Sequence, residues 1–190
     1  MSSSVDISNQ ALIMLGASPI VSFEDKTIEA NALKIVYGPA KDQVLRSYPW
    51  RCATKTVTLA QLEEEPVSPE WNYAFAWPKD CIRVIRVYEE QDPNNPWPEW
   101  QVEGKTILTK KANIVAEYIF DVAEPYMDAH VEMALAAKLA MDLSYTLTAS
   151  NAREGSLSQL FQLKLQEART TDRQEASHKK IYIDQLSRVR

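Results

Sequence analysis

Hydrophobic residues along this chain change their spacing twice, from helical to alternating and back to helical. Near the start, Ile7, Ala11, Leu12, Met14 and Leu15 fall on one helical face, and Ser3-Ser4-Val5-Asp6 ahead of them has the form of a capping box. Gly16 stands where a glycine ends a helix, with Pro19 just beyond. A second helical stretch runs from about Thr27 to Arg46, with Leu33, Val36, Tyr37, Ala40, Val44 and Tyr48 at three- and four-residue steps. Gly38-Pro39 predicts a kink or a break within it, and Ser47-Tyr48-Pro49 ends it, because a residue before proline avoids the helical region.

From Trp50 to Asp121 the period shortens. Lys55–Leu59 alternates, and Cys81–Tyr88 is a β-branched run. Trp100–Val102 and Thr106–Thr109 flank Glu103-Gly104-Lys105, a hairpin signal, and Ile114–Val122 follows as another strand. Pro66, Pro69, Pro78, Pro93, Pro96 and Pro98 break up the remainder. The expectation is an antiparallel meander of four or five strands with helix-free connections.

Helical spacing then returns. Between Asp128 and Leu147, Val131, Leu135, Leu139, Leu143 and Leu147 recur at a strict four-residue step, and Ala134, Ala136, Ala137 and Ala140 fill most of the remaining circumference. Such a helix is buried on more than one side. At 1.5 Å per residue it spans roughly 30 Å, enough to be the axle of a bundle. Ser156-Leu157-Ser158-Gln159 offers a further capping box, with the helix beginning there or as early as Asn151; Leu157, Leu160, Phe161, Leu165 and Ala168 form its core stripe. Beyond Thr170 the chain turns polar, and its last dozen or so residues read as a tail that orders only against a partner. The fold class implied is α+β: a discontinuous helical bundle from residues 1–48 and 122–176, a β-rich insertion domain at 49–121, and a C-terminal tail at 177–190.

Composition narrows the chemistry. The 190 residues carry a formal net charge of −5 and are 45% hydrophobic, which suits one domain or two small ones and excludes wholesale disorder. Only four glycines occur, each alone, so no GxGxxG or GxxxxGK[ST] loop cradles a phosphate. Cys52 and Cys81 lack a CxxC partner and read as small buried hydrophobes. His130 and His178 fit no HExxH or zinc-finger spacing, and His130 beside Glu132 reads as a helix-surface residue. No GxSxG elbow is present. No catalytic residue, cofactor or metal is expected, and no enzymatic activity. No signal peptide is visible, and the longest gently apolar stretch, Met133–Ala137, is far short of a membrane span.

All five tryptophans, Trp50, Trp71, Trp77, Trp97 and Trp100, fall in the middle segment. Core packing, a subunit or partner interface, and a sugar-stacking face all suit such rings. Trp97 and Trp100 are the interface candidates, because they lie in the proline-rich run 92–100. Glu63-Glu64-Glu65 before Pro66 reads as a solvated turn. Net acidity argues against a phosphate-tracking groove over most of the surface, and the sparse basic tail does not overturn it.

Several of these segments, taken in order, carry a resemblance. Asp6-Ile7-Ser8-Asn9-Gln10-Ala11-Leu12 followed by Leu15-Gly16 and Ile20 resembles the start of the head-to-tail adaptor of short-tailed bacteriophages, the tail tubular protein A family. Tyr37-Gly38-Pro39-Ala40-Lys41-Asp42 and Leu45-Arg46-Ser47-Tyr48-Pro49-Trp50-Arg51-Cys52-Ala53 continue the likeness. So do Trp71-Asn72-Tyr73-Ala74-Phe75, Pro78-Lys79-Asp80-Cys81-Ile82-Arg83-Val84, Ala116-Glu117-Tyr118-Ile119 and Ala134-Leu135-Ala136-Ala137-Lys138-Leu139-Ala140. The match covers roughly residues 6 to 170. Lys41-Asp42 and Arg51-Cys52-Ala53 depart mildly from the Arg-Asp and Asn-Phe-Ala more usual in such proteins.

The resemblance implies a structural virion protein: a homo-oligomeric connector ring, usually of twelve subunits, between the portal and a tail nozzle of the tail tubular protein B type. Tail fibres commonly attach at its perimeter, and double-stranded DNA passes through it during genome ejection. Assembly in the host cytoplasm and residence in the virion tail follow, with no membrane partner. A near-apolar helix over 128–147 looks hard to bury in a monomer and easy in a ring, so Val131, Leu135, Leu139 and Leu143 are expected at the subunit interface. Trp97 and Trp100 are expected in a nozzle or fibre contact loop. Lys179, Lys180, Ile181, Tyr182, Ile183, Arg188 and Arg190 are expected in a portal-docking tail. An acidic channel wall would repel rather than hold DNA phosphates.

Two other classes compete with this reading. One is a tail-associated cell-wall or polysaccharide hydrolase using carboxylates such as Asp80 or Glu117, although Asp80 near Pro78 and Arg83 reads equally as a turn into a strand with an ion pair. The other is a small helical binding module unrelated to phage.

Overall fold

A computed structural model describes residues 2–64, 66–89, 99–149 and 151–175. The fold is α+β, with four α-helices and two three-stranded antiparallel sheets among the described residues. Helix α1 spans Ser4–Leu15. Its capping box forms as the sequence predicts: the Ser3 hydroxyl accepts from the Asp6 N–H at 3.1 Å, and the Asp6 carboxylate accepts from the Ser3 N–H at 2.9 Å. Gly16 ends the helix at φ 68°, a left-handed conformation that costs any other residue strain. Asn9 then clasps Ile20 through both its amide atoms, at 2.8 and 2.9 Å, which folds the 16–20 turn back on α1.

Helix α2, Ile28–Arg46, is capped by Thr27 and runs unbroken through Gly38-Pro39, where the pattern predicted a kink or a break. Pro39 lies on the exposed side of the helix, as does Ile35, whose carbonyl loses its usual donor to the proline ring. Water can satisfy that carbonyl, so the helix continues. Helix α3, Ala129–Thr148, starts at the Asp128 cap and ends at Ala149, which takes the left-handed conformation without being glycine. Helix α4, Asn151–Gln174, takes the earlier of the two predicted starts. Ser156–Gln159 therefore lies inside the helix and forms no capping box.

The β region differs from the expected meander. Strands β1 (Thr54–Thr58), β2 (Tyr73–Ala76), β3 (Cys81–Glu89), β4 (Trp100–Glu103), β5 (Thr106–Thr109) and β6 (Ile114–Phe120) form two sheets, ordered β1-β6-β3 and β2-β5-β4. Only β4 and β5 pair as a sequential hairpin, turning at Gly104 with φ 59°. The sequence reading missed β2, because Tyr-Ala-Phe-Ala is short and half alanine. Central strand β6 is buried along most of its length, and its alternation divides its side chains. Ile114, Ala116 and Tyr118 enter a core shared with Phe75 and Ile107 of the second sheet, whereas Ile119 enters the helical core. In β3, register shifts between Cys81 and Arg83 and between Val84 and Arg86 let Val84 and Val87 share one face while Ile82 and Ile85 pack on the helices.

The molecule is thus layered as helices, first sheet, second sheet. Trp50, Ala53 and Ile119 belong to the helical core, so packing is continuous across the division placed at residues 48 and 49. Helix α3 packs against α1, α2 and α4 together.

Candidate interaction surface

The four α3 residues expected at a subunit interface lie elsewhere. Val131, Leu135, Leu139 and Leu143 are at most 1% exposed in the single chain and belong to its own core. The expectation that a near-apolar helix needs a ring to be buried fails, because α1, α2 and α4 already surround it. Even Lys138 is buried on α3, its ammonium held by both Asp142 carboxylate oxygens one turn on. Trp97 and the tail residues Lys179, Lys180, Ile181, Tyr182, Ile183, Arg188 and Arg190 lie outside the described residues. Trp100 is half-buried at the start of β4.

The carboxylates considered for hydrolysis are both engaged. Asp80 accepts from the Lys55 ammonium at 2.8 Å and from the Tyr118 hydroxyl at 2.9 Å. The Lys55 contact leads the effects that hold its pKa below the ordinary carboxylate value. Burial, then Asp80, pushes the Tyr118 phenol up to about 12. The expected ion pair of Asp80 with Arg83 is replaced by the pair with Lys55, which the β1-β6-β3 sheet brings alongside. Glu117 pairs with Arg86 across the β3–β6 ladder. Cys52 and Cys81 are free and half-buried rather than fully interior, and burial raises both thiols, Cys81 to about 12. Among the described residues no cluster of three His, Cys, Asp or Glu is placed to hold a metal, and no helix is long and apolar enough to cross a membrane.

Polar contacts fasten the helices to their surroundings. Buried Lys41 bridges Asp121 at 2.7 Å and Glu124 at 3.1 Å, and the Tyr37 hydroxyl donates to the same Glu124 oxygen at 3.1 Å. This network ties α2 to the connection between β6 and α3. Burial pushes Glu124 up, but hydrogen bonds from its own backbone, from Lys41 and from Tyr37 outweigh it and leave the carboxyl below its ordinary value. At the far end of α4, Arg169 donates to the Ser47 carbonyl at 3.1 Å, and Asp172 accepts from the Arg51 N–H at 3.0 Å. The Ser47–Arg51 turn is thereby locked to the helix.

One concavity gathers chemistry from both sheets. A cleft of about 460 Å³ is lined by Arg46, Trp77, Arg83, Trp100, Val102 and Lys105, with further residues of β3. Arg46 reaches from the last turn of α2 and donates to the Ile82 carbonyl at 2.8 Å. Trp77 donates its indole N–H to the Cys81 carbonyl at 3.0 Å and its backbone N–H to the Lys105 carbonyl at 3.2 Å, so the turn between β2 and β3 is pinned to the hairpin. Arg83 lies on β3 with its Nε buried and without an acceptor among the described residues. Three cations and two indoles thus face one space that no described carboxylate lines. Sequence reasoning missed Arg46, Arg83 and Lys105 because they come from three elements spread over sixty positions. In the sequence Arg83 read as an ion-pair partner for Asp80, Lys105 as part of a hairpin turn and Arg46 as the end of a helix, so nothing there brought the three together. No protein-family model matches this chain, and no curated protein aligns with it significantly.

Proposed function

We propose that this chain is the subunit of a phage head-to-tail adaptor, a ring that joins the portal to the tail nozzle, bears tail fibres and lets double-stranded DNA pass during ejection. It is a structural virion part rather than an enzyme, assembled in the host cytoplasm and carried in the tail. The ordered resemblance over residues 6 to 170 suggests the reading, and one structural observation supports it. Helix α2 turns Ile28 and Ile35 outward at 72% and 74% exposure, seven residues apart and hence on one side. Val21, just before the helix, is 88% exposed. Apolar residues repeated along the outer side of a helix suit a lateral neighbour, so the subunit contact is assigned to α2 and not to the leucines of α3.

The hydrolase alternative gains nothing from its two carboxylates. Asp80 is ion-paired and held ionised, whereas a general acid needs a raised pKa. Mass photometry of the purified chain with its cognate portal tests the assignment. Discrete addition of a full ring of subunits to each portal is expected. An Ile28→Ser/Ile35→Ser double variant should keep its fold and fail to close that ring. A wild-type chain that stays monomeric beside the portal, or a double variant that assembles normally, refutes the assignment.

A further inference from the structure

We propose that the cleft between the two sheets is a peptide-docking site that takes an extended, carboxylate-bearing segment of another protein chain, added as a strand along β4. The proposal is independent of the ring, because the described residues that line the cleft all belong to one chain.

The backbone of the cleft is two sheet edges on which no further strand pairs among the described residues. β3 is an outer strand of β1-β6-β3, and β4 is an outer strand of β2-β5-β4. In the β4–β5 hairpin, Glu103 and Thr106 close the two-residue turn and form the hydrogen-bonded pair. Alternation then makes Gln101 with Leu108 the next bonded pair, so Trp100 and Val102 aim their N–H and C=O groups away from β5. These are the two β4 residues that line the cleft. A free edge of this kind is a template for strand addition, in which main-chain bonds give affinity and side-chain pockets give specificity.

The side chains set the chemistry of the added strand. Arg46, Arg83 and Lys105 are cationic in a protein whose net charge is −5, and none of them pairs with a carboxylate among the described residues. Buried polar groups are usually satisfied, and the Arg83 Nε has no acceptor among the described residues. A guanidinium fork matches a carboxylate in two hydrogen bonds. Arg46 is already oriented by its bond to Ile82, and Trp77 by two bonds, so little ordering is left for binding. Trp77 and Trp100, half-buried against the core of the second sheet, line the same cleft and suit apolar side chains. The matching segment alternates acidic and apolar residues at strand spacing.

Isothermal titration of the full chain with the acetylated, amidated hexapeptide Glu-Val-Glu-Val-Glu-Val tests this directly. Saturable one-to-one binding is expected, with no binding of the Lys-Val counterpart. Arg46→Gln and Lys105→Gln, both on exposed residues, should each weaken the acidic peptide about tenfold while leaving the circular dichroism unchanged. N-methylating alternate peptide nitrogens should weaken it at least as much, because strand addition uses those N–H groups. Equal binding of the lysine peptide, an unchanged Arg46→Gln/Lys105→Gln double variant, or full affinity after N-methylation overturns the proposal. So does inorganic phosphate or a ten-nucleotide oligothymidylate that binds more tightly than the acidic peptide.

Discussion

Replacing Leu139 by alanine separates a core residue from an interface residue. Leu139 is fully buried on α3 within the helical core. Truncation removes three carbons from that interior, about 2.4 kcal/mol of transfer free energy at roughly 0.8 kcal/mol per buried methylene. The space left behind adds to this, and buried Leu→Ala changes fall within about 2–5 kcal/mol. A loss of about 3 kcal/mol is expected, which for a chain of this size lowers Tm by roughly 6–12 °C. Urea unfolding followed by far-ultraviolet circular dichroism reads it, at low and at high protein concentration. The loss should be the same at both, because the contacts lie within one chain. Ile35→Ala, on the 74% exposed side of α2, is the control and should change monomer stability by less than about 0.5 kcal/mol. A Leu139→Ala loss that disappears on dilution, or that is no larger than the control, refutes the placement of α3 in the core.

Three further outcomes follow from the same structure. Gly16→Ala should destabilise by about 1 kcal/mol because Gly16 sits at φ 68°, whereas Gly38→Ala should stabilise by up to about 1 kcal/mol, since it lies in the interior of α2 with open space around its Cα; equal effects in chemical denaturation contradict both cap and helix. Lys41→Met should cost about 2 kcal/mol at neutral pH by leaving Glu124 and Asp121 without their cation. Glu124 and Asp80 have depressed folded pKa values, so their stabilisation is present above the ordinary carboxylate range near pH 4 and is lost as pH falls through the folded values; the gap between Lys41→Met and wild type should shrink over that fall, and a constant gap measured by thermal melts speaks against the network. Deleting residues 177–190 should leave the subunit folded but abolish co-sedimentation with portal rings; normal pelleting of the truncated chain contradicts a portal-docking tail.

The helices were legible because their signals are local. Ser3-x-x-Asp6 and Gly16 each act within one turn of chain and cap α1 as read; Thr27 and Asp128, read only as the approximate starts of the next helices, serve in the structure as their N-caps. Sheet order was not legible, because a strand's partner is chosen by tertiary packing rather than by its own alternation. The two register shifts in β3 also hide its faces from a strict two-residue period, so Val84 and Val87 share a side only once the bulge is known. The α3 leucines show a different limit. Their spacing correctly implied burial on several sides, but spacing says nothing of whether the covering helices come from the same chain or from a neighbour. The cationic cleft is the extreme case, since Arg46, Arg83 and Lys105 meet only after both sheets and the end of α2 are in place.

The adaptor reading is tested most directly by electron microscopy of the purified chain mixed with its cognate portal. Closed rings of this chain seated coaxially on one face of the portal are expected, with α2 of each subunit against its neighbour. Portals that remain bare while the chain stays folded and monomeric contradict it.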